Sequence, residues 1–434
     1  MKKKTTIKDF LTGIIPEKIL NNINRSFEIV GDIAIIELDE NEIKFEKEIG
    51  NAIMKVNKSI KTVLKKSGIH KGEFRTQDLI YVAGENKKET IYQENGVLLK
   101  INPGTVYFSA RLSVERQNLM ENLKEGKKVL IMFSGIGPYS FVALKKQPNL
   151  HRITSIELNP EGHKFAYENL KLNKNLLKKS NIFKEMISYF KKNKIRINEK
   201  ELIENLNYLK INFINGDVKE EVKKINFKEI GNEIEEKLFE KELNSEELFN
   251  LLKNEHKNNY DNNTINDDDN NNNNINDGNN ENRNIIYLNL NLFNLELKKI
   301  FSYFLILFCK TNTFICKIKN KNYLFDSKIS KGYLLNYLEN ENDFENVMKF
   351  DEIFMPLPKS AGLFLEDAFK VSKKDTVIHM YDFILEKDFP KKTEDEVKNI
   401  AIKKNKKIEI LQTRKVGQYA PGKYRICCDF KILN

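Results

Sequence analysis

The period of the apolar positions changes repeatedly along the chain. Residues 26–40, SFEIVGDIAIIELDE, alternate around Gly31-Asp32 and predict two strands joined by a tight turn. Ile49, Ile53, Val56, Ile60 and Val63 then recur every three or four positions, which predicts an amphipathic helix over 45–67. Alternation returns in TQDLIYVAG and in ETIYQENGVLLKIN, where the chain folds back at Glu94-Asn95-Gly96. A small α+β domain over 1–100 accounts for these elements.

From about 112 to 175 buried-strand runs alternate with helical stretches. SVERQNLMENLKEG reads as a helix ending at Gly126, KKVLIMFSGIGPYSFVALKK as strand, glycine turn and helix, and RITSIELNPEGHKFAYENLKLNK as strand, turn and helix again. Further strands are expected in LKINFINGD (209–217), MKFDEIFMPLP (348–358), TVIHMYDFI (376–384) and KYRICCDFKIL (423–433), with helices over 360–372 and 393–405. This alternation implies a parallel sheet with right-handed crossovers, an α/β domain over 101–434. Two stretches break the rhythm and read as insertions, 176–208 and 220–345. Inside the longer one, 258–284 is Asn/Asp-rich, has little to bury, and is expected to be disordered.

Composition narrows the class. A chain of 434 residues is long enough for two domains, and its net charge of +11 favours a polyanionic partner. Lys and Asn are abundant throughout, which weakens that inference. Cys309, Cys316, Cys427 and Cys428 show neither C-x-x-C nor zinc spacing, so a reducing compartment without a structural metal is expected. The apolar run IFSYFLILFC at 300–309 is about half a membrane span, and MKKKTTIKDF lacks a signal-peptide core. A monomer away from membranes follows, cytoplasmic, with nucleus, mitochondrion or another organelle as alternatives.

The chemistry begins at the glycine turn. Gly135 and Gly137 in MFSGIGPYS either make a tight strand–helix turn or let backbone amides approach a ligand. Glu157 ends the next strand, where nucleoside-binding α/β folds hold ribose hydroxyls. Asp217 ends the strand after that, where an acid can accept from an adenine amino group. The turn is GxGP rather than GxGxxG and lacks a phosphate-binding Lys-Ser/Thr. These features disfavour dinucleotides and nucleoside triphosphates and favour S-adenosylmethionine. His70, His151, His163 and His256 form no constellation, and His379 reads as a packing residue at a strand end.

GEFRTQDL, NPGTVYFSARLSVER, MFSGIGPYS, IELNP, ENLKLNK, NGDV, MPLPKSA, IHMYDF and YAPGKYRICCDFKI occur in that order. Together they resemble the archaeal and eukaryotic class I tRNA (guanine-37-N1)-methyltransferases, over nearly the whole chain outside the two insertions. The resemblance implies a Rossmann-type class I methyltransferase domain preceded by the small α+β domain. It implies S-adenosylmethionine as cofactor and, as substrate, a tRNA with guanosine at position 37. Guanine N1 carries a proton at neutral pH, so methylation needs a base, and the charge developing on O6 needs a donor. The resemblance makes Glu115 the base and Arg75 the O6 donor that also orients Glu115. It places Tyr107, Arg116, Phe133, Gly135, Gly137, Pro138, Glu157, Leu158, Asp217, Val218 and Pro356 at the cofactor, and Arg111, Tyr419 and Pro421 at the substrate. The basic KVGQYAPGKYR is expected to contact tRNA phosphates, with affinity falling steeply with salt.

Three features depart from the family pattern. Ile131 stands where an Asp often precedes the glycine turn, and Pro356-Leu357-Pro358 stands where Asn-Leu-Pro is common. The sequence also starts at the equivalent of the family's second domain, so a separate N-terminal domain that inspects tRNA shape is expected to be missing. Two rival activities remain at this point. One is a wyosine-pathway methyl or aminocarboxypropyl transfer to the same tRNA position, against which the RLxxER glutamate speaks. The other is a non-catalytic RNA-binding homologue, against which Glu115, Arg75, Glu157 and Asp217 speak.

Overall fold

The computed structural model describes residues 5–23, 27–68, 72, 74, 76–192, 199–225, 285–289, 313–318, 321–325, 349–357 and 361–434. The chain divides into two units, one formed by Met1–Asn226 with Lys349–Asn434 and the other by Phe227–Met348.

The first unit opens with α1 (Ile7–Leu11) and α2 (Glu17–Asn22), followed by β1 (Glu28–Val30), β2 (Ile33–Ile36), α3 (Glu46–Val56), β3 (Thr62–Lys66) and β4 (Leu79–Gly84). The strands form a sheet in that order, with only the β2–β3 pair parallel. Leu11, Ile49, Ile53, Ala34 and Val63 pack helices against it. The helix expected over 45–67 is two elements. Asn57 ends α3 because its side-chain oxygen accepts from the Ser59 amide, a local turn that competes with helix. Ile60 and Val63 then continue into a turn and β3, where their apolar spacing still faces the core.

A hairpin, β5 (Thr90–Glu94) and β6 (Val97–Ile101), turns at Asn95-Gly96, both with positive φ. After it come α4 (Ser113–Glu121), β7 (Lys128–Met132), α5 (Pro138–Lys146), β8 (Arg152–Glu157) and α6 (Pro160–Leu172). Then follow α7 (Asn181–Lys192), α8 (Glu199–Lys210), β9 (Ile211–Asn215) and α9 (Val218–Ile225). The hairpin leans on α6. Asn169 and Asn173, one helical turn apart, bond the backbones of Lys100 and Leu98 in both directions, at 2.6–3.2 Å, as a neighbouring strand would. Thr90 still reaches back to Asp32 at 2.7 Å. The hairpin therefore bridges the two domains, instead of closing the small one alone as the 1–100 boundary expects.

The 176–208 stretch, expected as an insertion, is described as a packed helical pair in the crossover from β8 to β9. Leu177, Met186, Leu202 and Leu206 are buried there. The second unit contributes β10 (Ile285–Asn289), β11 (Thr313–Ile318) and β12 (Lys321–Phe325), a three-stranded sheet with β10–β11 parallel and β11–β12 antiparallel. The Asn/Asp-rich 258–284 and the apolar run at 300–309 lie outside the described residues.

The first unit resumes with β13 (Phe350–Met355), α10 (Leu365–Lys370), β14 (Ser372–Leu385), α11 (Lys391–Lys403), β15 (Ile408–Ala420) and β16 (Lys423–Ile432). The main sheet has seven strands in the order β15-β16-β14-β13-β7-β8-β9. Its five strands from β14 to β9 run parallel, β16 pairs antiparallel with β14, and β15 pairs antiparallel with β16 at the edge. This is a Rossmann-type α/β sheet, with strand order reversing beside β7. Leu130, Ile353, Ile378, Phe369 and Val397 anchor one face of its core. The parallel order puts the C-terminal tips of β7, β8, β9 and β13 together, which is where ligands bind in open α/β sheets. No helix among the described residues is long and apolar enough to cross a membrane.

Candidate functional site

The turn after β7 is built from unusual backbone. Phe133, Gly135 and Gly137 all have positive φ, at 59°, 57° and 83°. A Cβ on Gly137 would lie 2.8 Å from the Phe141 ring and 3.1 Å from Phe213, so only glycine fits there. Pro138 starts α5 at its first position, where its missing N–H costs nothing. Glu157, at the tip of β8, braces this turn. Its Oε2 accepts from the Gly135 amide at 2.6 Å and its Oε1 from the Asn159 amide at 2.8 Å. Burial pushes the Glu157 carboxyl above its ordinary range, with the backbone amides opposing. Asp217 follows β9, and its Oδ1 accepts from the Lys219 amide at 2.7 Å at the start of α9.

These strand tips surround a cavity of about 200 Å³. Eight of the residues expected at the cofactor line it: Tyr107, Phe133, Gly135, Glu157, Leu158, Asp217, Val218 and Pro356. Phe74, Val106, Asn159, Leu357 and Phe364 complete the wall. Gly137 and Pro138 are not on that wall and shape the turn from behind. Phe74, from the GEFR motif of the small domain, is on that wall. Its neighbour Arg75, the expected O6 donor, lies outside the described residues, as does Pro358. Ile131 is fully buried in β7, paired with Phe354 and Ser155, and so acts as core.

Asn159 holds the opposite rim, donating to the Thr105 carbonyl at 2.8 Å. The chain then runs past Tyr107 into α4. Arg116 does not reach the cofactor cavity. It is buried with 2% of its side chain exposed, and its fork is paired bidentately with Glu94 in the hairpin turn, with Nε to Oε1 at 2.6 Å. Its guanidinium also lies 5.2 Å from the Phe108 ring and 5.7 Å from Tyr139. The expectation that Arg116 binds cofactor is thus corrected: a desolvated Arg–Glu pair fixes α4 to the hairpin. Asn95 adds a second tie, donating to the Ser113 carbonyl at 2.9 Å.

Glu115 points the other way, onto the sheet, with its side chain 11% exposed. Oε1 accepts from Tyr381 Oη at 2.9 Å and lies 2.8 Å from Nη2 of Arg414. No hydrogen bond to Oε2 is present among the described residues. Sequence reading missed both partners, together with Asp429. Their signal was present as polar positions at period two along the three strands. Cross-strand registration places Gln412, Asp429 and His379 in one row and Arg414, Cys427 and Tyr381 in the next. His379 sits mid-strand between Asp429, at 2.7 Å, and Glu352, at 3.0 Å, and stacks on Phe354. It is an ion-pair residue, not the strand-end packing residue expected.

The expected substrate residues lie on the outer surface. Arg111 is exposed in the short turn before α4, and Pro421 is exposed in the two-residue turn joining β15 to β16. Tyr419 is 59% exposed and packs on Phe383 with ring centroids 4.3 Å apart. Arg425 lies over Phe383 and donates to Tyr107 Oη at 3.1 Å, which ties this aromatic and basic patch to the cavity wall. β15 was not anticipated at all, because its apolar positions do not alternate cleanly and many of its side chains are exposed, as on an edge strand.

The TRM5/TYW2 methyltransferase domain matches residues 90–183 and 328–411, and the TYW2 N-terminal domain matches 7–87. Trm5b of Methanocaldococcus jannaschii, a tRNA (guanine(37)-N(1))-methyltransferase, is 34% identical over 256 residues, 57% of this chain and 73% of that protein. The chain belongs to the TRM5/TYW2 methyltransferase family. Pyrococcus abyssi Trm5b, of the same name, is 42% identical over 160 residues, 37% of this chain. That match spans about half, 48%, of the relative's length. The crystal structure of Trm5b from Pyrococcus abyssi aligns over 100% of this chain and 82% of its own, with a TM-score of 0.57 at 24% identity. The TRM5/TYW2 match is interrupted between 183 and 328, an interval that contains α8, β9 and most of the second unit.

Proposed function

We propose that this chain methylates N1 of guanosine 37 in tRNA, using S-adenosylmethionine. The observation that carries this is Glu115, a carboxylate with one oxygen anchored on the sheet and the other left for a substrate proton. Arg425, on β16 between the strands that carry Tyr381 and Arg414, bonds Tyr107, and Tyr107 lines the cavity.

The cavity suits the cofactor by its donor set. Glu157 and Asp217 offer acceptors for hydroxyl and amino groups, while Phe133, Leu158 and Pro356 offer apolar walls. No Lys or Arg lines it among the described residues, as befits a nucleoside without phosphates. When bound, the cofactor supplies an electrophilic methyl group on a sulfonium. The protein's part is to position and to move a proton. Glu115 takes the N1 proton on Oε2 while Tyr381 and Arg414 keep Oε1 still, which holds the base in one geometry. Arg75, beside the cavity-lining Phe74 in sequence, is proposed to hold the charge on guanine O6. Arg111, Tyr419 and Pro421 are proposed to meet the tRNA. The working unit is proposed to be a monomer, since one chain supplies the cavity.

The match of the small domain to a TYW2 N-terminal domain favours a second reading, a wyosine-pathway transfer to the same nucleoside. One experiment separates them. The protein is incubated with labelled S-adenosylmethionine and unmodified tRNA, and the nucleosides are analysed. Label in 1-methylguanosine, lost when guanosine 37 is replaced, is the expected result. Label that appears only with a tricyclic precursor tRNA would overturn it.

A further inference from the structure

Glu115 is held by groups far from it in sequence. Among the described residues, the titratable and charged groups around it are Arg414 of β15, Tyr381 of β14, Cys427 and Asp429 of β16, and Tyr139 of α5 beside Tyr381. Nη2 of Arg414 lies 2.8 Å from Glu115 Oε1 and 3.6 Å from Asp429 Oδ2. One cationic nitrogen thus stands between two carboxylates and sits nearer Glu115.

The reason lies at Asp429, whose oxygens are already served. Oδ1 faces His379 Nδ1 at 2.7 Å and accepts from Cys427 Sγ at 3.2 Å, and Oδ2 accepts from Gln412 at 2.8 Å. The second nitrogen of His379 faces Glu352 Oε2 at 3.0 Å. An imidazole with a carboxylate at each nitrogen donates twice, and so carries a positive charge. Phe354, stacked at 4.4 Å and 7°, fixes the plane of the ring. Burial alone would push His379 down, yet its two carboxylates lift it to about 9, so it is charged at neutrality. Burial alone would likewise raise Asp429, yet His379 and Arg414 hold it down at about 2.

We infer that His379, Asp429 and Arg414 form a positioning relay for Glu115. His379 and Gln412 occupy the oxygens of Asp429, Arg414 stays nearer Glu115 than Asp429, and Arg414 with Tyr381 holds Oε1 of Glu115, with no hydrogen bond to its second oxygen among the described residues. None of the three relay residues touches the reacting atoms. When Glu115 takes up the substrate proton its hold on Arg414 weakens, and Asp429 is the nearest alternative anion. The inference rests on Glu115 being the base proposed above.

The test is the acid limb of the single-turnover pH–rate profile, read from about pH 5 to 9 with calorimetric cofactor binding as the check on folding. Removing a cation beside a carboxylate favours its protonated form. Arg414→Gln should therefore move the acid limb up by about 1–3 pH units. Arg414→Lys keeps the charge and should return the limb close to that of the unsubstituted enzyme. His379→Gln leaves Asp429 charged and uncompensated, draws Arg414 away, and should move the limb the same way by less. A merely structural Arg414 would lower rate or stability with the limb unmoved, and that result in a folded, cofactor-binding Arg414→Gln protein overturns the relay. A limb that persists unchanged in Glu115→Gln instead overturns the assignment of the base, and the relay with it.

Discussion

Nη2 of Arg414, near the middle of β15, lies 2.8 Å from Oε1 of Glu115 in the first turn of α4. The contact joins the last strands of the chain to a helix that precedes the whole α/β sheet. It anchors one carboxylate oxygen, and among the described residues none donates to the other, which is the geometry wanted of the proposed base.

Glu115→Gln keeps the size of the side chain but cannot take that proton. Single-turnover methylation should slow by about 10²–10⁴-fold, the usual range for general base catalysis. Affinity for tRNA and cofactor should hardly change. Methylation at close to the original rate would remove Glu115 from the mechanism.

Arg116 separates structural from cofactor-binding roles. Arg116→Met leaves Glu94 buried without its partner, which should cost about 3–5 kcal/mol of stability in denaturant unfolding. Cofactor affinity, measured on the folded fraction, should stay near that of the unsubstituted protein. A large loss of affinity without loss of stability would restore the expectation drawn from the sequence.

Glu157 lines the cavity and braces the Gly135 and Asn159 amides, and it is proposed to offer acceptors to the ligand as well. Glu157→Ala should weaken S-adenosylmethionine binding by about 1.5–3 kcal/mol, the range for hydrogen bonds to charged groups. Calorimetry that shows unchanged affinity would move the ribose contact elsewhere.

The His379–Asp429 pair should make stability depend on pH at both ends. His379, at about 9, lies above its ordinary 6.5, so its contribution is complete below about pH 6.5 and is lost as pH rises through about 9. Asp429, at about 2, lies below its ordinary 3.8, so its contribution is present above about pH 3.8 and is lost as pH falls through about 2. Melting temperature at fixed ionic strength should fall between about pH 7 and 10, and His379→Gln should flatten that decline. An unaltered alkaline slope in the variant would mean that the imidazole does not carry the charge.

Local pattern was enough for β7, α5, β8 and α6. Their apolar runs are continuous, and their boundaries carry local stops: Pro138 at the first helical position, and Asn159, whose side chain caps α6 by accepting from Glu161 at 3.0 Å. The acids at the strand tips were legible for the same reason, since parallel order sends every strand end to one side. Ile60 and Val63 misled because positions three or four apart fit a helix, while the residues just before them, Asn57 to Ser59, form a turn. Arg116 misled because a motif shows which residues recur together and not which way each side chain points.

The sequence by itself determined the α/β class, the glycine turn, the acids of the cavity and the candidate base, all carried by residues close together in the chain. Only the tertiary structure decided that Glu115 is held by Tyr381 and Arg414, that Asp429 stands between Arg414 and His379, and that Arg116 belongs to Glu94. Those pairings depend on the register of β14, β16 and β15 and on the seating of α4 over them. A shift of one residue in that register would turn each of these side chains to the opposite face, and register between distant strands is settled by packing rather than by any local run of residues.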